Sequence, residues 1–86
     1  MHWTPRAEQT LDELVAQAPA DYQDRVRATV RRAARLQATQ IGNPAVDIDE
    51  VVMGYLQAAP AHLRPDLLPI FQAAGIDTRR YRKYLN

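Results

Sequence analysis

The chain has no cysteine and no serine. Without cysteine, its 86 residues hold no disulfide framework, no thiolate zinc site and no cysteine-bound iron–sulfur cluster. Without serine as well, the usual nucleophile–histidine pairs lack their first member. Glycine is scarce, at three, and there is no phosphate loop. No apolar run approaches the ~18 residues of a membrane-crossing helix. The opening MHWTPRAEQT has neither an apolar signal core nor an acid-poor transit composition. A cytoplasmic protein is the expectation. Strand-like alternation, internal repeats and low-complexity segments are also missing.

What is present favours helix. Alanine, leucine, arginine and glutamine dominate, and the apolar fraction of 47% is ordinary for a globular domain. Thr4-Pro5 is a helix start, because threonine caps and proline at the first helical position gives up no needed hydrogen bond. Leu11, Leu14, Val15 and Ala18 then form one apolar stripe, and Pro19 stops it. Trp3 is placed to fold back on this helix. A second helix is expected from about Ala20 to Gln40. Tyr22, Val26, Thr29, Val30, Ala33, Leu36 and Ile41 fall on its apolar half, and Arg25, Arg27, Arg31, Arg32 and Arg35 on the other. Gly42-Asn43-Pro44 breaks it.

In VDIDEVV, Asp47 caps a third helix and Glu50 completes a capping box, with Val46 and Val51 as a hydrophobic staple. Pro60 ends that helix. A short helix over 66–74 closed by Gly75, and a last one over 78–85 capped by Asp77, complete the chain. The expected fold is all-α: a small single-domain bundle of four to five short helices. Residues 1–60 are expected to form a three-helix module, with 61–86 a helical extension packed on or beside it.

The near-neutral net charge of +1 hides blocks. Residues 1–24 set Arg6 against Glu8, Asp12, Glu13, Asp21 and Asp24. Residues 25–35 hold five arginines and no acid. Arginine suits carboxylate and phosphate because its planar fork makes paired hydrogen bonds. The competing reading is a solvated face, partly neutralised by Asp47, Asp49 or Glu50. The tail RRYRKYLN supplies a second basic cluster, Arg79, Arg80, Arg82 and Lys83, whose tyrosines are expected to dock on the core. No tyrosine interleaves with the arginines of 25–35, so the stacking platform of a single-strand binder is lacking. The acidic start of the third helix suits DNA phosphates badly.

Catalysis has little support. His2 and His62 are far apart and read as surface residues. Asp47, Asp49 and Glu50 read as caps rather than as an acid–base pair or a calcium loop. No metal, cofactor or catalytic residue is expected.

Taken together, Trp3-Thr4-Pro5, Ala7-Glu8, Pro19, Arg25-Val26-Arg27, Ala34-Arg35 and the capped VDIDEVV resemble a known module. It is the small C-terminal domain of the B subunit of light-independent protochlorophyllide reductase, which also occurs free-standing. The resemblance covers about residues 2–58. The parent enzyme is nitrogenase-like and reduces a ring double bond with electrons delivered through iron–sulfur clusters. The apparatus for that reaction is missing from this chain. The resemblance therefore implies a non-catalytic accessory module. Its arginine face, Arg27, Arg31 and Arg35 above all, would dock an acidic protein surface, such as that of a nitrogenase-like subunit, or tetrapyrrole carboxylates. The alternative is a nucleic-acid-binding helical protein using the same arginines on phosphates.

Overall fold

The computed structural model describes residues 2–59 and 61–85. Thr4 caps the first helix, α1 (Pro5–Ala16), by accepting the Ala7 amide at 3.1 Å. Ala7, Thr10, Leu11, Leu14 and Val15 are its buried face. Ala20–Tyr22 forms a 3-10 turn, and α2 (Gln23–Gln40) follows. The helix expected from Ala20 therefore begins in two steps. Pro19 is extended, with ψ 145°, and the tight turn redirects the chain before regular α geometry starts. Gly42 closes α2 at φ +72°, a conformation that suits glycine, with its amide on the Thr39 carbonyl and the Asn43 amide on the Ala38 carbonyl.

A short parallel strand pair, absent from the sequence-based expectation, joins the chain start to this turn. Strand β1 (His2–Trp3) pairs with β2 (Ala45–Val46), His2 opposite Ala45 and Trp3 opposite Val46. Two residues are too few for alternation to register in a sequence. Trp3 accordingly sits beside β2, with the Arg31 guanidinium of α2 4.5 Å from its ring centre.

The third helix, α3 (Ile48–Ala58), carries the expected capping box, and Glu50 Oε1 accepts the Asp47 amide at 3.1 Å. The same Glu50 oxygen accepts Asn43 Nδ2 at 3.1 Å, which satisfies a carboxylate that is almost fully buried. Val46 and Val51 are both fully buried, as the staple requires. Ala59 is extended at φ −80°, ψ 141°. Pro60, the expected helix stop, lies outside the described residues.

α2 and α3 make the most extensive contact in the fold. Their crossing is close because it is built from small residues: Ala34 and Ala38 are fully buried, and a Cβ on Gly54 would stand 2.6 Å from the Ala34 nitrogen. So close a crossing covers only a narrow strip of α2. That corrects one expectation: Tyr22, Leu36 and Ile41 are exposed at 53%, 54% and 59%, not part of the core.

The C-terminal third shares the same core. Ala61–Asp66 forms a 3-10 segment, α4 (Leu67–Ala73) ends at Gly75 with φ +77°, and Thr78–Tyr81 makes a 3-10 turn into α5 (Arg82–Leu85). Asp77 caps that turn by accepting the Arg79 amide at 3.1 Å. Leu67, Phe71, Ile76, Tyr81 and Leu85 belong to one apolar cluster with Leu11, Leu14, Val51 and Leu56. Phe71 is the largest fully buried side chain and meets Tyr55 edge-on, with centroids 5.5 Å apart. The chain is a small all-α bundle with one minor strand pair.

Candidate functional site

The five arginines of α2 divide into two groups. Arg27 and Arg31 turn toward α1. Arg31 forks onto Glu8 through two hydrogen bonds, of 3.1 and 3.0 Å, and Arg27 meets Asp12 at 2.6 Å. Glu8 and Asp12 are four apart, as are Arg27 and Arg31, so the pairs stack as two rungs of an antiparallel helix pair. Arg31 also lies 4.5 Å from the centre of the Trp3 ring, which it covers. Its hydrogen bond holds Glu8 below the ordinary glutamate range, and Glu8 raises Arg31 in return.

These partners differ from the ones the sequence pointed to. Among the described residues, Asp47, Asp49 and Glu50 pair with no arginine of α2. Asp47 accepts the Thr4 hydroxyl at 2.9 Å, so the caps of α1 and α3 are tied to each other. The backbone hydrogen bond at Ile48, then the one from Thr4, lowers the Asp47 carboxyl. Asp49 instead takes the tail, accepting Arg80 Nη2 at 2.9 Å and the Tyr81 hydroxyl. Burial, then the bond to Asp49, pushes the Tyr81 hydroxyl well above its usual range. Arg79 is paired with Asp77 next to it. Of the second basic cluster, Arg82 and Lys83 are exposed without ion pairs among the described residues, and Lys83 lies 5.0 Å from the Tyr84 ring centre.

Arg25, Arg32 and Arg35 form the second group on α2. All three are exposed, and none has an ion pair among the described residues. Tyr22, Arg25, Thr29, Arg32, Leu36 and Thr39 recur at alternate steps of three and four and are all exposed. They make a continuous stripe on the side of α2 opposite its buried Val30, Ala34 and Ala38. Arg35 flanks the stripe. The missing aromatic interleaving is thus partly supplied by the fold, with Arg25 6.0 Å from the Tyr22 ring centre. A half-and-half division of the helix places Tyr22 and Leu36 on the apolar side, whereas both face solvent.

No family model, curated protein or solved structure matches the chain. The site must be read from its own geometry.

Below the stripe, α2 and α3 diverge toward α4 and leave a recess of about 390 Å³. Val26, Val30, Tyr55, Ala59, Leu67 and Ile70 line it, with Arg25 and Asp66 also bordering it. Burial raises the Tyr55 hydroxyl, which stays a neutral phenol at physiological pH. Nothing in the sequence marked this recess, because its walls come from three helices and each contributes residues that read as ordinary core.

The histidines are both exposed. Among the described residues no group of three or more histidine, aspartate or glutamate side chains is placed to hold a metal ion, and no helix is long and apolar enough to cross a membrane.

Proposed function

We propose that this chain is a non-catalytic accessory module that docks an acidic protein surface through the outer stripe of α2. The observation that carries this reading is the division of the arginines. Arg27 and Arg31 are engaged by α1, whereas Arg25, Arg32 and Arg35 stand exposed beside Tyr22 and Leu36. Tyrosine and arginine are the residues enriched at protein interfaces, and an exposed leucine between arginines suits a partner offering both apolar and acidic groups. The contact residues are therefore Arg25, Arg32, Arg35, Tyr22 and Leu36, and the role of Arg27 and Arg31 is to hold α2 against α1. The setting we propose, beside a nitrogenase-like or tetrapyrrole-reducing enzyme, is supported by the family resemblance alone.

The test is affinity capture from nuclease-treated extract, followed by titration of the captured protein once purified. The R25Q/R32Q/R35Q variant is expected to keep wild-type helicity and to bind at least about tenfold more weakly. Unchanged affinity would reduce the stripe to solvated surface. Tight, steeply salt-dependent binding to unrelated DNA or RNA duplexes would favour the phosphate reading instead.

A further inference from the structure

The recess between α2, α3 and α4 is a cleft that opens to the surface. At about 390 Å³ it falls within the range of small-molecule sites. Its walls are apolar: Val26 and Val30 from α2, Tyr55 from α3 and Ala59 just after it, Leu67 and Ile70 from α4. Charge is confined to two residues, Arg25 on the α2 side and Asp66 at the start of α4.

Those two charges are not equivalent. No ion pair within 4.0 Å joins them or engages either one among the described residues. Arg25 belongs to the basic stripe, with Arg32 three residues beyond the lining residue Thr29. A ligand with an anionic head meets attraction at Arg25 and repulsion from Asp66, and both orient the head toward α2.

We propose that this recess binds an amphipathic monocarboxylate, with an aliphatic body on the order of ten carbons in the recess and its carboxylate on the Arg25 guanidinium. Arg25 makes a charge-assisted hydrogen bond to the head. Val26, Val30, Leu67 and Ile70 enclose the chain, and the neutral Tyr55 ring forms one wall. This site does not depend on the docking role of the stripe, although Arg25 is common to both.

Dodecanoate is the probe, titrated below its micelle concentration into the isotope-labelled full chain and followed by amide and methyl shifts. Binding is expected to shift the methyls of Val26, Val30, Leu67 and Ile70. Arg25→Gln should weaken it about five- to tenfold, and Asp66→Asn should tighten it about two- to threefold, by removing the repelling charge. Ala58→Phe, at an exposed lining position, should block the recess with the circular-dichroism spectrum unchanged. Dodecanol should bind more weakly than dodecanoate, and dodecyltrimethylammonium more weakly still. The proposal is overturned by no binding, by shifts mapping elsewhere, by equal affinity for the acid and the alcohol, or by tighter binding of the cation. An Arg25→Gln variant that binds dodecanoate as well as wild type overturns it equally.

Discussion

Gly54 shows how a single residue can act against its own propensity. Alanine is the better helix former by about 1 kcal/mol, so Gly54→Ala on an isolated helix would stabilise. Here the new Cβ would stand 2.6 Å from the Ala34 nitrogen and 2.9 Å from its Cα. Both are backbone atoms and cannot rotate away, so the α2–α3 crossing itself must widen. We expect Gly54→Ala to destabilise the fold by roughly 2 kcal/mol or more, the overpacking cost exceeding the helix gain. Urea denaturation of the two proteins measures it, and an equal or higher midpoint for the variant would contradict the close crossing. Thr4 is a second residue whose job exceeds its local signal. Its hydroxyl accepts the Ala7 amide and donates to Asp47, so one side chain sets the starts of two helices.

At the scale of elements, the α1–α2 contact is a charged seam lying over an apolar one. The Glu8–Arg31 and Asp12–Arg27 pairs are only partly shielded, with side-chain exposures between 34% and 62%, so each contributes about 0.5 kcal/mol at most before any cation–π term. Their pH dependence has a definite sign. Glu8, through Arg31, and Asp47, through the Ile48 amide and Thr4, both ionise more readily folded than unfolded. A lowered carboxyl lends stability that is complete above its unfolded-state value and is lost as pH falls through the folded one. The melting temperature should therefore hold near neutrality and decline as pH falls below about 4.5. Glu8→Gln should melt lower than wild type at pH 7, and the gap should close near pH 2. A gap that is constant with pH would mean that Glu8 acts by packing alone.

For the whole molecule, the C-terminal third shares one apolar core with the helices before it. Phe71 is fully buried against Tyr55 and shares a cluster with Leu11, Leu14 and Leu56. Phe71→Ala is expected to cost about 3–5 kcal/mol, a large share of the ~4–13 kcal/mol usual for a domain of this size. For the same reason, residues 1–60 alone should show helix by far-ultraviolet circular dichroism but no cooperative thermal transition. A sharp, reversible melt of that fragment would show that the three-helix module is self-sufficient.

Local chemistry reaches only as far as one element. Thr4-Pro5, the Asp47–Glu50 box, the Gly42 and Gly75 stops and the Asp77 cap were all legible in the sequence, because each is a contact within a few residues. The all-α character followed from the same signals. Which acid neutralises which arginine was not legible. Glu8 and Asp12 were as available as Asp47 and Asp49, and only the antiparallel placement of α1 against α2 selects them. Nor could periodicity show that Leu36 and Tyr22 face solvent. Helical spacing locates a face, but its buried width depends on how closely another helix approaches, and here Gly54 and two alanines make that approach close and narrow. The recess beside Arg25 is likewise a property of three helices together. The sequence by itself determined where helices start and stop. The tertiary structure decided which charges remain free, because pairing depends on distances across elements that no local pattern encodes.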